Sequence, residues 1–329
     1  MSEIENAAAG ADEVVQPEAK PEKPSRKPLM QRIFPWWVTQ PKPEKVKKPA
    51  KQELVEWIIT LLVAMVIFFL ARSFVFALVR VDGDSMYPTL HHGEFMYVSK
   101  LEYGTSFIGV PFTGAGAHFT VGGDPERFDV VVCNYPGRLD KYGAPVNFVK
   151  RVVGLPGDTL EIRSGTLYVN GVQYPEKFLH QEMYSAFEAY TVPAKGDVIE
   201  VRGGQVYLNG VAQAQQAQYL GVILHERMGR GASYTLPETG DKFQHVGQQL
   251  YVNGRAGSSW MKVLLNAWEG LSHTVEQDHF FLMGDNRNNS NDSRNAIVGA
   301  APRDMIVGQV EGVIWHDIPS TLEDANMKP

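Results

Sequence analysis

The chain has 329 residues, enough for one large domain or two modest domains with apolar cores. Its net charge of −6, without a basic stripe interleaved with aromatic residues, excludes nucleic acid from the expected partners. Cys133 is the single cysteine and the nine histidines lack HExxH-like spacing, so an intrachain disulfide is excluded and neither a metal site nor a cofactor is expected.

Residues 1–53 are rich in Pro, Lys, Glu and Ala and show no sustained apolar periodicity. Such a composition buries too little surface to offset the entropy of ordering, which predicts a disordered tail. The aromatic stretch RIFPWWVTQ (32–40) fits either a contact with a membrane surface or a sticky patch within this tail.

The apolar segment 54–79 predicts a transmembrane anchor, with a buried helix of a soluble protein as the alternative. At about 1.5 Å per residue, a helix of this length crosses the roughly 30 Å hydrocarbon layer. Arg72 indicates that the span ends near it, with 73–79 already in the next domain. Lysines dominate the N-terminal flank and charges are mixed after Arg80, so the positive-inside tendency predicts a cytoplasmic N-terminus and an exported part from about residue 80.

The exported part is predicted to be mainly β. Four stretches are rich in Val, Ile and aromatic residues between turn signals: FDVVVCNY (128–135), NFVKRVVGL (147–155), TLEIRSGTLYVNG (159–171) and MIVGQVEGVIW (305–315). The sequence after the anchor lacks a long amphipathic helical period, which disfavours an α/β fold.

An internal repeat predicts three β-hairpins, since GDTLEIRSGTLYVNG (157–171), GDVIEVRGGQVYLNG (196–210) and GDKFQHVGQQLYVNG (240–254) align and each ends in Asn-Gly. A Tyr-Thr-aliphatic-Pro segment precedes the second and third copies, at 190–193 and 234–237. These two copies are expected to form a duplicated insertion. The expected domains are therefore a catalytic part at 80–175, an inserted β-rich domain at 176–277, and a second catalytic part with a C-terminal tail at 278–329.

Two stretches carry a candidate nucleophile and a candidate base. In GDSMYPTL (83–90), Ser85 lies in a tight turn closed by Pro88, where it fits either a nucleophile or a turn residue. Lys150 lies in the alternating strand 147–153 on the same face as Phe148 and Val152. Burial there disfavours the ammonium and lowers the lysine pKa toward the ~7–8 of a general base. A lysine at a strand edge is the alternative.

The polar loop 284–294 lies between two apolar segments, and a solvated turn is its simplest interpretation. Alternatively, its aspartates, Asp285 and Asp292, pair with Arg287 and Arg294 and hold a wall of the site through charge-assisted bonds. Ser290 is then placed to orient a neutral lysine by hydrogen bonding.

Together these stretches resemble bacterial type I signal peptidase, the membrane-anchored protease that removes signal peptides from exported proteins. GDSMYPTL (83–90) resembles the nucleophile box, RFDVVV (127–132) the strand before the lysine box, KRVVGLPGD (150–158) the lysine box, and GDNRNNSNDSR (284–294) the last box. The resemblance covers roughly 72–175 and 278–316. It implies a complex β fold of the signal-peptidase type outside the bacterial inner membrane, with secretory preproteins and membrane lipid as partners.

The resemblance also implies roles for individual residues. Ser85 is the expected nucleophile and Lys150 its general base, with Ser290 bonded to the lysine and with Asp292 and Arg294 supporting the site. The lysine takes the serine proton, returns it to the leaving amine, and then activates the water that hydrolyses the acyl-enzyme.

The oxyanion hole and the substrate pockets are less completely defined by the resemblance. Gly83 stands where one branch of the family has a serine that donates to the oxyanion, so the backbone N–H of Ser85 is one expected donor and the second is unassigned. Members prefer small residues, commonly Ala-X-Ala, before the cleaved bond. The residues expected to line the shallow pockets, or else to pack as ordinary core, are Val81, Met86, Leu90, Phe148 and Val149.

Other functions fit the sequence less well. A Ser-His-Asp hydrolase using His273 or His279 lacks a GxSxG elbow around Ser85 and leaves the lysine box without a role. The SxxK pattern of serine β-lactamases fails because Pro88 stands where the lysine would be. A self-cleaving Ser-Lys repressor needs no anchor. From a different class, an inactive anchored scaffold built on the three repeats remains the main alternative.

Overall fold

The computed structural model describes residues 49–103, 105–109, 116–120, 122–139, 145–179, 184, 186–229, 231–246, 249–257 and 259–315. Most of the tail predicted at 1–53 lies outside these ranges, as does its aromatic stretch 32–40. Within them the chain is mainly β, as predicted.

Helix α1, Ala50–Phe74, contains most of the predicted anchor. Its part Ala50–Arg72 is long and apolar enough to cross a membrane, with a mean hydropathy of 2.6 in its most apolar window. The helix begins inside the segment predicted as tail and ends at Phe74, two residues after Arg72. Phe76–Arg80, within the last residues of the segment predicted as anchor, form a strand.

Strands make up most of the remaining described chain. In order they are β1 (Phe76–Arg80), β2 (Phe95–Ser99), β3 (Thr105–Gly109), β4 (Gly116–Thr120), β5 (Val130–Leu139), β6 (Pro145–Gly154), β7 (Thr159–Arg163), β8 (Thr166–Val169), β9 (Val172–Gln173), β10 (Phe187–Thr191), β11 (Val198–Arg202), β12 (Gln205–Leu208), β13 (Val211–Ala212), β14 (Ser233–Thr235), β15 (Lys242–Val246), β16 (Gln249–Val252), β17 (Arg255–Ala256), β18 (Ser272–Thr274), β19 (His279–Met283), β20 (Ala301–Pro302) and β21 (Ile306–Trp315). The four predicted strand regions are confirmed as β5, β6, the β7–β8 hairpin and β21.

A seven-stranded antiparallel sheet places the candidate base. Its order is β1-β2-β21-β5-β6-β19-β20, and Lys150 of β6 lies opposite Val131 of β5. Alternate residues of β5 enter different apolar clusters, because Val131 packs with Phe280 whereas Val132 packs with Met86. Strand β19 lies beside β6 and runs directly into the polar loop 284–294.

The three repeats form three separate four-stranded sheets with the same local design. Their orders are β10-β7-β8-β9, β13-β12-β11-β18 and β14-β15-β16-β17. In each, the turn asparagine has a positive φ and its amide donates to the aspartate twelve residues earlier, in the pairs Asn170–Asp158 (2.8 Å), Asn209–Asp197 (2.9 Å) and Asn253–Asp241 (2.6 Å). The predicted hairpins are thus confirmed. In each repeat, the aspartate of the initial Gly-Asp accepts a hydrogen bond from the asparagine at the end of the repeat and so stabilises its turn.

One connection within the repeats differs from the sequence pattern. The Tyr-Thr segment before the second copy, in β10, pairs with β7 of the first hairpin, where Tyr190 lies opposite Leu160. The second hairpin obtains its fourth strand from β18, much later in the chain. Only the third copy pairs with the segment that directly precedes it, through Tyr234 and Phe243.

Two helices in the inserted part were not predicted: α2 (Gln216–Met228) and α3 (Ser259–Ala267). Nine of the thirteen residues of α2 are buried, including polar Gln218 and His225. A helix buried on several sides has no clear apolar stripe, so the search for an amphipathic period fails there.

Candidate active site

The turn that carries Ser85 connects β1 to β2 and packs on an apolar cluster. Met86 and Leu90 are buried in the apolar cluster under it. Gly83 has φ +87°, a left-handed conformation that favours glycine. Ser85 itself is partly exposed, so its side chain lies at the surface, next to the buried Met86.

The backbone donors of this turn are not equivalent. Gly83 N–H donates to His92 Nδ1 at 2.9 Å, which occupies the donor two residues before the serine. Among the described residues, Ser85 N–H has no acceptor. It is therefore a backbone donor of this turn that is available to a developing oxyanion.

Lys150 lies beside this serine. Its Nζ donates to Ser85 Oγ at 2.7 Å and to the Val149 carbonyl at 2.8 Å, and only 3% of the residue is exposed. Burial lowers the pKa of Lys150 to about 8, although the carboxylates of Asp292 and Asp285 oppose that shift. A substantial fraction of this amine is therefore neutral at mildly alkaline pH, and the neutral form accepts a hydrogen bond from the serine hydroxyl.

The loop 284–294 lies against the turn that carries Ser85. Asn286 N–H donates to the Ser85 carbonyl at 3.0 Å, and its side-chain amide donates to the Asp84 carbonyl at 3.1 Å. A Cβ on Gly284 would lie 2.4 Å from that same Ser85 carbonyl and 2.3 Å from Ser290 Oγ. Glycine is thus required at 284 for the loop to approach the serine so closely.

The ion pairs of this loop agree only partly with the prediction. Arg294 binds Asp292 through two bonds of 2.8 Å, as predicted, and Asp292 also accepts Gly284 N–H at 3.0 Å. Asp285 binds Arg151 of β6 through bonds of 2.8 and 2.6 Å, and its predicted pairing with Arg287 is wrong.

Arg287 pairs with a residue outside the loop. Its guanidinium forms a two-bond pair with Glu176, at 2.7 and 2.5 Å, with both side chains almost fully buried. Phe178, two residues further on, lies 4.0 Å beneath the guanidinium of Arg151 and 5.9 Å from that of Arg287. The segment after the first hairpin therefore supports the loop from outside.

The predicted supporting serine does not contact the lysine. Ser290 Oγ is buried and has no hydrogen-bond partner among the described residues, so the expected bond to Lys150 is absent from this conformation. Its place against Gly284 nevertheless leaves it close to the Ser85 backbone.

The five predicted pocket residues fall into two groups. Val81, Met86 and Leu90 are buried in the cluster beneath the turn, with Val149 at its edge, while Phe148 packs at the edge of the other cluster. Phe148 and Val149 are partly exposed, whereas the other three are buried.

The histidines of the alternative triad lie elsewhere. His273 Nε2 is 2.6 Å from Glu226, and buried His279 lies 3.8 Å from the same carboxylate. Neither is bonded to Ser85 within the described chain. No group of three His, Cys, Asp or Glu side chains in the described ranges is arranged to hold a metal ion.

The chain is similar to known proteins over most of its length. The family described as "Signal peptidase, peptidase S26" matches residues 54–195 and 191–315, well over half of the sequence. The chain belongs to this family.

Individual relatives extend over different parts of the chain. Signal peptidase I S of Bacillus subtilis is 38% identical over 138 residues, which cover 42% of this chain and 60% of the relative. The chain thus spans less than two thirds of the Bacillus relative's length. Signal peptidase I of Pseudomonas fluorescens is 29% identical over 292 residues, covering 86% of this chain and 80% of that protein. A solved signal peptidase I from Enterococcus faecalis, 20% identical, covers 57% of this chain and 97% of its own with a TM-score of 0.26.

Several residues around Ser85 and Lys150 were not predicted from the sequence. No role was expected for Arg151 or for Asn286. Glu176 carries no local signal, because its role depends on a partner 111 residues away.

Proposed function

We propose that this protein is a membrane-anchored serine endopeptidase that removes signal peptides from exported preproteins after small residues of the Ala-X-Ala type. The observation that carries the proposal is the 2.7 Å contact between Lys150 Nζ and Ser85 Oγ, with the lysine buried and its pKa lowered to about 8. Membership of the signal peptidase family supports the same activity.

The chemistry follows from this pair. Neutral Lys150 takes the Ser85 proton as Oγ attacks the scissile carbonyl, and Ser85 N–H donates to the oxyanion that forms. Lys150 then gives the proton to the leaving amine, whose departure leaves an acyl-enzyme on Ser85. The same lysine, neutral again, removes a proton from the water that hydrolyses the ester.

The substrate is proposed to bind in an extended form beside an exposed strand, with its small side chains against Phe148 and Val149. Asp292 and Arg294 are proposed to support the loop, and Ser290 to orient the lysine after a small rotation of its hydroxyl group.

Helix α1 supports a membrane anchor, and the lysine-rich flank supports a cytoplasmic N-terminus with the catalytic part outside the bacterial inner membrane. The apolar stretch 106–112 is proposed to enter the outer leaflet. Its first residues belong to β3, and 110–112 lie outside the described residues.

The experiment is cleavage of a preprotein with an Ala-X-Ala site by the detergent-solubilised full chain, compared with Ser85→Ala and Lys150→Ala across pH. We expect both substitutions to abolish cleavage, while wild type gains activity as pH rises through about 8. Cleavage that persists in Lys150→Ala would place the base elsewhere. A wild type that binds a partner through its repeats without ever cleaving would favour the inactive scaffold.

A further inference from the structure

One face of α2, in the inserted part of the chain, lies against the segment that follows the Asp292–Arg294 pair. Gln218, Gly221 and His225 occupy that face, since they are spaced three and four residues apart along the helix. All three are buried. The contact is therefore part of the folded core and not a surface touch.

Gln218 binds the backbone of the loop directly. Its side-chain amide donates to the Ser293 carbonyl at 3.1 Å and to the Arg294 carbonyl at 3.0 Å, and the residue is 1% exposed. Buried carbonyl groups need a donor, and one amide here serves two consecutive carbonyls. The backbone on both sides of this peptide unit is thereby fixed to the helix.

The next turn of α2 also packs closely against the same segment. A Cβ on Gly221 would lie 2.6 Å from the Ala296 carbonyl, so that glycine permits the contact. One turn further, a Cβ on Gly299 would lie 3.5 Å from the ring of His225. Three successive positions on the helix thus meet the chain at 293–294, 296 and 299.

The Asp292–Arg294 pair, at the start of this segment, carries charges that act on the candidate base. Asp292 raises the pKa of Lys150 and Arg294 lowers it, while the other groups that act on the ammonium are Asp285 and Cys133. Asp292 also receives Gly284 N–H, and so fixes the point where the loop approaches the nucleophile. Movement of the segment would change both these charges and the access of water to the lysine.

We propose that Gln218 and Gly221 are positioning residues for the Ser85–Lys150 dyad, acting through the backbone of 293–296. The inserted part is then a support for the active site and not a spacer. This inference rests on the proposed peptidase function, and it assigns α2 a part in that function.

The test compares Gln218→Met with Gln216→Met in the detergent-solubilised full chain. Methionine keeps the length of the side chain and removes the donor. Gln216 is the matched control, because it lies on the same helix and its amide donates to Gln205, at 3.0 Å, and not to the loop. Hydrogen exchange of peptides covering 284–299 and the pH profile of kcat are measured for both variants.

We expect Gln218→Met to increase exchange in 284–299 and to lower kcat about tenfold with KM little changed. Its pH profile should move to higher pH, because water entering beside Lys150 relieves part of the burial that lowers the lysine pKa. Gln216→Met should match wild type in all three. Gly221→Ala forces the Ala296 backbone away and should reproduce the Gln218→Met result. If Gln218→Met does not fold, Gly221→Ala provides the test in its place.

The proposal would be overturned if folded Gln218→Met and Gly221→Ala showed the same hydrogen exchange, kcat and pH profile as wild type, even if both variants melted at a lower temperature. A wild type that never cleaves would instead refute the peptidase function. In that case the exchange comparison alone decides whether α2 holds the segment.

Discussion

Gly284→Ala tests whether the loop positions the nucleophile. The added Cβ would lie 2.4 Å from the Ser85 carbonyl, whereas ordinary contacts begin near 3.4 Å, so the serine backbone must retreat by about 1 Å (3.4 − 2.4). A misplacement of that size costs about 100-fold in rate, or about 2.7 kcal/mol of transition-state stabilisation. The overpacking should also cost about 1–3 kcal/mol of folding stability.

The assay is kcat/KM on an Ala-X-Ala preprotein, measured well below the melting midpoint of each variant so that both remain folded. Gly312→Ala is the matched control. Gly312 lies in β21, in the same seven-stranded sheet as the strand β19 that precedes Gly284, and a Cβ on Gly312 meets nothing within 4 Å. We expect the control to retain wild-type activity. A Gly284→Ala enzyme within threefold of wild type would refute the argument that this close approach places Ser85.

Three further predictions concern buried titratable and charged side chains. With Lys150 as the proposed base and a pKa of about 8, log kcat/KM should rise with unit slope below that pH, and a limb near pH 6 would assign the titration to another group. Burial lowers the pKa of His225 to about 3 and of His245 to about 4, so the unfolded chain takes up protons first as pH falls below about 6.5. The free energy of unfolding, measured with urea, should therefore fall by about 2 kcal/mol per histidine between pH 7 and pH 5. A free energy of unfolding that does not change with pH in this range would contradict the burial of the two rings in neutral form. Glu176→Gln should destabilise by about 3–5 kcal/mol in chemical denaturation because it leaves a buried guanidinium unpaired, whereas the surface variant Glu161→Gln should leave stability unchanged, and equal effects would show that the Glu176 pair is not special.

The face that Lys150 occupies was predictable from a short-range pattern, whereas its role beside Ser85 was expected only from the family resemblance. A strand that alternates around Lys150 fixes which face the lysine occupies, and Phe148 on that face indicates that it is apolar. The Asn-Gly turns likewise fix the three hairpins, since Asn170 and its two counterparts adopt the positive φ that few other residues tolerate.

Partner choice over long separations was not predictable in the same way. Asp285 and Arg287 are two residues apart in the loop, so their pairing is the simplest expectation from sequence. In the fold their side chains point to different neighbours, Arg151 on β6 and Glu176 after the first hairpin. A local pattern gives the charges available, whereas the register of β19 beside β6 decides which of them meet.

The pairing of Asp285 with Arg151 has a consequence for the base. Lys150 and Arg151 are neighbours on one strand and point to opposite faces, and two unbalanced cations so close together would each disfavour the other. The two bonds from Arg151 to Asp285 balance the permanent charge of the guanidinium. Burial is then the largest cause of the lowered lysine pKa, and it acts on the one cation of the two that must lose its proton to react.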